Sequence, residues 1–575
     1  MAQKAALSAR FFYNNCSKSA IVFVHGLGGE NDAVTQIVEV EGADWLDEHR
    51  TCDRSAISVF KVVAEPTGNL ADDLAERSVT LGAFMDRLAA QPHPVAITGS
   101  AWSQSDLFAS PAVRVDTALD RAMWSLPPEA LADEFTGEAE RFVMTTGGAK
   151  LGDIMTFLDE RNLSFRTAGS HKGQSIGGAI ATGTHGSLLG EMGLETHVRG
   201  LLFIGGTGEA HWIADPARPV LSETFVQGFA KAADPALFED ALIHLGGLGY
   251  CAAVLIEAVP RFGLSWKKAV APLADEWWQA VEQGDFARAA APVIGDKEPA
   301  FYELTFDPNT GLDAEVMQTL YWRDPLPDDY TWEPDQPDPP EARDALDLIT
   351  DAFNAFSAFM VEKRGEKEDE TDEDGLSSLG KRLRLLDIAD MIFDDFRKAV
   401  ATKPVSDQPE SLLALTGNWK PREVFGIRID TFNAAFAIPV SELRRTLEIG
   451  EEIAKNWRKH FVFTVRFAAK SRASMSFLRF DGLNAIINID GLTRAGIAGW
   501  ISHSDEFSRA YTDALQEAGI PFSMHWGKDI PSDAAKIAAD FGRAAERYRA
   551  ARAALVPEAL REKLCPPQLK EWGLD

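Results

Sequence analysis

Apolar and polar positions follow little order over residues 1–65. Only AIVFVHGLGG (20–29) reads there as an element, a buried strand entering a glycine turn. From residue 66 the pattern becomes regular. LADDLAERSVTLGAFMDRLAAQ (70–91) carries apolar residues at helical spacing with acidic residues near its start, which predicts a helix. Within PVAITGSAWSQSD (94–106), VAIT predicts a short strand that runs into a Gly-Ser turn, and VRVD (113–116) predicts another strand. The acidic stretch 117–140 reads as a connecting loop or short helix. RFVMTTGGAKLGDIMTFLDERNLSF (141–165) then predicts strand, glycine turn and helix. VRGLLFIGGTGEAHWI (198–213) alternates as a hairpin, and LFEDALIHLGGLGYCAAVLIEAVP (237–260) predicts a helix, a glycine turn and a long apolar strand. Helices and strands are mixed, with glycine turns at strand ends, so the expected class is α+β.

The character changes near residue 262. Residues 263–325 are rich in aromatics (Trp266, Trp277, Trp278, Phe286, Phe301, Phe306, Trp322), as a sheet-and-helix cap would be. DPLPDDYTWEPDQPDPPEARD (324–344) is proline- and aspartate-rich and predicts a linker; EKRGEKEDETDEDG (362–375) is a charge run that predicts a loop. The amphipathic stretches 345–363 and 379–400 flank that run, so 325–420 reads as a helical insertion with an acidic loop. Beyond it, 431–457 predicts strand, proline turn and long helix, 461–477 and 487–491 predict strands, and 501–519 a helix.

Composition narrows the function classes. A chain of 575 residues has room for two or three domains. A formal charge of −30 argues against nucleic acid and anionic membrane as partners, since both attract Lys and Arg. The four cysteines (Cys16, Cys52, Cys251, Cys565) are scattered with no CxxC, which suggests neither a disulfide framework nor a metal site. The first residues lack the apolar run of a secretory signal, and no stretch reaches membrane-spanning length, so a cytoplasmic location is expected. None of this fixes an oligomeric state.

The chemistry concentrates in RTAGSHKGQSIGGAIATGTHGSLLGEMGLETHVRG (166–200). Its many glycines let backbone approach a ligand closely, and amides so presented, with hydroxyls beside them, cradle a phosphate or pyrophosphate. A competing pattern overlaps it. Gly173-Gln174-Ser175-Ile176-Gly177 spells G-x-S-x-G, and with the HG-x-GG run at 25–29 it raises a serine hydrolase using Ser175. That elbow needs an apolar strand directly before the serine, whereas TAGSHK is polar and turn-like.

Five pieces in order, GSAWSQSD, VRVD, GGAKLGDIMTFLDERNLSF, GQSIGGAIATGTHGS and LIHLGGLGYCAAVLIEAVP, resemble the FAD-binding (PCMH-type) domain of the vanillyl-alcohol oxidase family, nearest in pattern to aldonolactone and alditol oxidases. The resemblance implies a two-subdomain FAD-binding domain over 66–262, with residues 1–65 as part of it. It also implies an α+β cap over 263–520 that carries the insertion, and a C-terminal segment, 521–575, returning to the FAD domain. It implies that Gly99, Ser100, Ala101, Trp102 and Ser103 form the first phosphate turn. Gly169, Ser170, Gly177, Gly178, Thr182, Gly183, His185, Gly186 and Ser187 would line the pyrophosphate and flavin edge, with Gly249 nearby. Many relatives have a histidine, bonded covalently to the flavin, where this chain has Trp102; the resemblance therefore implies non-covalent FAD.

On the cap side, Met524-His525-Trp526-Gly527-Lys528 matches the family's HWGK, which implies site roles for His525 and Lys528. Relatives carry Glu-x-Arg where this chain reads Thr464-Val465-Arg466. The arginine is kept for electrostatic stabilisation and the carboxylate is missing, with Asp490 on the next strand as a substitute. The implied function is FAD-dependent oxidation of a CH–OH group in a small-molecule substrate (alcohol, sugar, polyol or lactone), with O2 or another electron acceptor. The alternatives are a flavin-binding protein without that turnover and, less in keeping with the pattern, the hydrolase.

Overall fold

The computed structural model describes residues 58–105, 107, 113–231, 234–308, 310–332, 403–417, 431–455, 461–492, 504–529 and 531–575, and the short stretches 21–25, 34–41, 397–398, 400–401, 423–424 and 427–428. The acidic run 362–375 and both amphipathic stretches of the expected insertion lie outside these residues, apart from its last few positions. Most of 1–57 lies outside them as well.

Three sheets organise the chain. The first contains β1 (Ile21–His25), β2 (Thr35–Glu41), β3 (Ser58–Ala64), β4 (Val95–Thr98) and β5 (Val113–Leu119) in the order β1-β2-β3-β5-β4. β3, β5 and β4 run parallel, and helix Leu70–Ala89 makes the crossover from β3 to β4. That helix starts where the sequence suggests: the Asn69 side chain caps it, accepting from Asp72 N–H. The N-terminal residues thus share a sheet with the first expected phosphate turn.

The second sheet contains β6 (Met123–Ser125), β7 (Phe142–Thr145), β9 (Val198–Gly206), β10 (Glu209–Ala214), β11 (Ala230–Lys231) and β12 (Tyr250–Glu257), in the order β11-β10-β9-β12-β7-β6. β8 (Leu163–Ser164) and β13 (Val259–Pro260) form a separate short antiparallel pair. β12 is buried at all but one position, as its unbroken apolar run requires. The stretch 117–140, expected as loop or short helix, instead extends β5 to Leu119, adds β6 and ends in 3-10 turns over Asp133–Arg141.

The third sheet has eight strands: β14 (Gly263–Ala271), β15 (Pro299–Phe306), β16 (Val316–Asp324), β17 (Glu410–Ser411), β20 (Thr431–Pro439), β21 (Phe461–Ala469), β22 (Leu483–Leu492) and β23 (Ser523–Met524). Their order is β17-β14-β16-β15-β21-β22-β20-β23, while β18 (Glu423–Val424) and β19 (Ile427–Arg428) form a separate ribbon. Helices Asp275–Glu282, Phe286–Ile294, Leu443–Ala454 and Ser504–Glu517 accompany this sheet. The C-terminal helices pack back on the second sheet: Tyr548 donates to His244 O (2.9 Å), and Arg547 pairs with Asp240 (2.9 Å). No helix among the described residues is long and apolar enough to cross a membrane.

A buried polar knot joins the first two sheets. Arg77, fully buried on helix Leu70–Ala89, meets Asp120 at 2.9 Å and donates to Thr35 Oγ1 (3.2 Å) and Ala252 O (3.3 Å). Tyr250 OH donates to the same Asp120 carboxylate (2.7 Å), and Thr146 Oγ1 donates to Asp120 O. Burial and the Asp120 charge hold the Tyr250 phenol well above its ordinary pKa.

Candidate active site

Residues of all three sheets line a cleft whose empty space, counted out into the open solvent at its mouth, is about 1700 Å³. One wall is the turn after β4: Gly99, Ser100, Ala101, Trp102 and Ser103 all line it. Gly99 packs against Ser175, whose Oγ would lie 1.9 Å from a Cβ there, and Ala101 sits at φ +56°, in the left-handed region. The Trp102 indole lies over Gly173, whose absent Cβ would come within 2.4 Å of the ring, and 5.5 Å from the His171 ring centroid.

The second wall is the glycine segment. Gly169, Ser170, Gly177, Gly178, Thr182 and His185 line the cleft, as does Gly249 from the turn before β12. Some of the amides expected to face a phosphate are used within the protein: Gly177 N–H donates to Gly147 O (2.8 Å), and Ser100 N–H donates to Ser175 Oγ (3.3 Å). Gly183, Gly186 and Ser187, expected beside the cofactor, are not among the lining residues. Gly186 packs against Thr167, where a Cβ would meet Oγ1 at 1.8 Å; Gly183 makes the left-handed exit of helix Ile176–Ala181 at φ +72°; Ser187 is buried.

The third wall comes from the eight-stranded sheet. Arg466 on β21 donates from Nε to Glu303 Oε2 (2.6 Å) and from Nη1 to Ser170 Oγ (2.8 Å). Glu303 stands directly opposite Arg466 in the β15–β21 register and braces it, but does not itself line the cleft. Thr464 does not line the cleft; its hydroxyl donates to Asp490 Oδ2 (3.1 Å) behind the wall. Asp490 and Asn488, two apart on β22, both reach the cleft, as strand alternation requires. Asn433, opposite Asp490 in the β20–β22 register, donates to its other oxygen.

The HWGK turn closes the constellation. Trp526 anchors it: its indole is buried, donates to Met475 O (2.6 Å) and lies 5.0 Å from both Phe541 and Trp572. His525 N–H donates to Ala435 O and Gln104 N–H to Gly527 O, so the turn is pinned between β20 and the first phosphate turn. His525, Gly527 and Lys528 line the cleft.

Two imidazoles meet there, with ring centroids 5.6 Å apart. Burial, helped by the charges of Arg466 and Lys528, pulls the His185 pKa down to about 3. Burial, then His185 and Lys528, hold His525 well below its ordinary value. Both rings are neutral near pH 7, and their contacts set opposite tautomers. His185 Nδ1–H donates to Gly186 O (2.8 Å), leaving Nε2 bare; His525 Nδ1 accepts from Gly527 N–H (3.0 Å), so its proton is on Nε2. Buried His197 and His244 are likewise lowered, to about 3 and about 4.

A folded protein that keeps these four rings neutral binds fewer protons than the unfolded chain below pH about 6.5, so their share of stability falls as the pH drops from about 6.5 toward 4. His197, stacked on Phe165 away from the cleft, tests this. Replacing it with Gln is expected to flatten the slope of unfolding free energy against pH by up to one proton in that window, as read by urea titration. An unchanged slope would contradict a neutral buried His197.

Ser175 does not sit on a nucleophile elbow. Bends and an isolated bridge precede it in place of a strand, the side chain is 2% exposed, and its hydroxyl accepts from Ser100 N–H. Residues that the sequence reading missed include the lining residues Gln104, His171, Asn433 and Asn488, and Glu303, which does not line the cleft but bonds Arg466. Asn488 was within reach through its i, i+2 spacing from Asp490; the others become site residues only through strand register or loop packing.

The residues present fit a dinucleotide. A Cβ at Gly99, Gly147, Gly177 or Gly249 would clash, so backbone itself lines the cleft there, and Ser100 Oγ, Gln174 Oε1 and Asn433 Oδ1 are buried in its wall with no hydrogen-bond partner among the described residues. Among solved structures, the chain is similar to a solvent-stable cholesterol oxidase (TM-score 0.59, 13% identity, 92% of this chain and 97% of that one). It is equally similar to a cholesterol oxidase from B. sterolicum (TM-score 0.59, 13% identity, 95% and 100%). The fold is therefore that of these cholesterol oxidases, in keeping with the α+β architecture that the sequence resemblance implied. Sequence similarity points more narrowly, to aldonolactone oxidases. A Neurospora crassa protein bearing the provisional name D-arabinono-1,4-lactone oxidase is 33% identical over 142 residues, 24% of this chain and 21% of that protein. The D-arabinono-1,4-lactone oxidase of Eremothecium gossypii is 27% identical over 201 residues, 34% of each chain. The matched segments thus span about a fifth to a third of these relatives. No family model matches the chain.

Proposed function

We propose that this chain holds FAD along the cleft without a covalent bond and oxidises a CH–OH group of a small polar substrate such as a sugar, polyol or lactone. In this reading residues 66–262 with 521–575 hold the cofactor, 263–520 cap it, the protein is cytoplasmic, and O2 or another acceptor takes the electrons. The supporting observation is the polar convergence of Arg466, Asn488, Asp490, Asn433, His525 and Lys528 on one end of a cleft whose other walls are the two glycine turns. Such a wall suits a hydroxylated substrate and would leave many polar groups unsatisfied against a sterol.

Bound FAD supplies the hydride acceptor. The protein's part is orientation and charge. Asn488, Asn433 and Asp490 present acceptors and donors to substrate hydroxyls, and the Asp490 carboxylate is held still by Thr464 and Asn433. Arg466, braced by Glu303 and Ser170, stabilises negative charge on the hydroxyl oxygen as it becomes a carbonyl. The bare Nε2 of His185 offers a hydrogen-bond acceptor on a ring that burial and the charges of Arg466 and Lys528 keep neutral.

The visible spectrum of the purified protein tests the reading. Flavin bands are expected that move into the supernatant on acid precipitation and bleach anaerobically with D-arabinono-1,4-lactone or a polyol, and not with cholesterol. A colourless protein that takes up no added FAD would sink it. Trp102→His tests the attachment: indole has no nucleophilic nitrogen for the flavin, so wild-type colour should leave the precipitate, and the histidine variant is expected to retain it. Colour bound covalently in the wild type would overturn the non-covalent assignment.

A further inference from the structure

The two flanks of the expected insertion converge on the cofactor loop. Residues 404–417 run along β14, where Lys268 N–H donates to Pro404 O (2.9 Å) and Ser406 N–H to Trp266 O (3.0 Å). The segment then crosses to the loop 169–175. Gly417 N–H donates to Ser170 O (2.9 Å), and Lys172 N–H donates to Gly417 O (3.1 Å). The Lys172 side chain is buried, 6% exposed; its Nζ donates to Leu413 O (3.1 Å) and lies 5.0 Å from the centroid of the Trp332 ring. Trp332 ends the other flank, and the two flanks are tied to each other. Tyr330 OH donates to Glu410 Oε2 (2.9 Å) and accepts from Ser411 N–H (3.0 Å).

Neither Lys172, Trp332, Tyr330, Leu413 nor Gly417 lines the cleft, whereas Gly169, Ser170, His171, Gln174 and Ser175 on the clamped loop do. A lysine taken out of water costs free energy, and a carbonyl and an indole face recover part of that only while the three segments stay together. The geometry points to a clasp: residues 404–417, with Tyr330 and Trp332, hold the loop 169–175 against the cleft, and bound cofactor leaves only when that clasp opens. The clasp thereby supplies the retention that a covalent bond gives elsewhere. This rests on the flavin reading above.

The test is the rate of FAD release from the loaded full-length protein, followed by recovery of flavin fluorescence on dilution into excess trap. Lys172→Met and Tyr330→Phe are expected to speed release by about tenfold, the loss of one strong hydrogen bond at the clasp, with the apo melting temperature little changed. Lys172→Arg should stay within about threefold of wild type, since it keeps the charge and its donors. By linkage, bound FAD should also slow limited proteolysis within 404–417 of the unaltered protein. Release unchanged in folded Lys172→Met and Tyr330→Phe, or cleavage at 404–417 indifferent to FAD, overturns the clasp and leaves the flavin reading standing. A wild-type protein that takes up no FAD overturns both.

Discussion

Arg466→Met is expected to lower kcat/KM for the reducing substrate by about 10²–10³-fold, the range seen when a preorganised charge-stabilising donor is removed, while the bound flavin spectrum stays. Arg466 bonds both the eight-stranded sheet and the loop 169–175, through Glu303 and Ser170. Lysine should rescue poorly. An ammonium cannot reproduce the fork that reaches Glu303 from Nε and Ser170 from Nη1 at once. Glu303→Gln should cost less than Arg466→Met, because the guanidinium keeps its charge and loses only its orienting partner. Steady-state kinetics with the substrate that bleaches the wild-type flavin checks the order. A kcat/KM for Arg466→Met within about tenfold of wild type would remove the electrostatic role.

The second large effect is on stability. Arg77→Met should destabilise the protein by about 3–5 kcal/mol, because it leaves Asp120 buried without its counter-ion. Both side chains are fully buried, and Tyr250 then remains as a donor to a carboxylate that burial penalises. Arg77→Met with Asp120→Leu should recover most of the loss, since removing both partners of a buried pair is often near neutral. The knot also lies beneath the cleft, where Thr117, Gly147 and Tyr250 are lining residues. FAD uptake should therefore weaken together with the urea midpoint in the single variant. A single variant as stable as wild type would show the pair to be dispensable.

Local pattern made much of the framework legible. Helix Leu70–Ala89, strand Val95–Thr98, the hairpin Val198–Gly206 with Glu209–Ala214 and the apolar strand Tyr250–Glu257 fall where the pattern placed them, because the helix signals its buried face in its spacing and the strands signal their burial in short apolar runs. The stretch 117–140 was misjudged for the opposite reason: its short strand and 3-10 turns are stabilised by pairing with β7 and by turn bonds, which leave no periodic trace.

At the site, the glycine turns and HWGK were legible because backbone approach and a tight turn demand particular residue types at fixed spacing. Glu303 was not. It lies 163 residues from Arg466, and only the register of β15 on β21 sets them opposite. Asn433 reaches Asp490 in the same way, and Lys172 finds Leu413 across 241 residues. The amino-acid order by itself determined the elements, the glycine-built cradle and the cationic residues around it, since these depend on interactions within a few residues along the chain. Which carboxylate braces Arg466, which charges face His185 and His525, and which segment lies against the loop 169–175 were decided by the tertiary structure, because sheet register and burial act between residues that the chain keeps far apart.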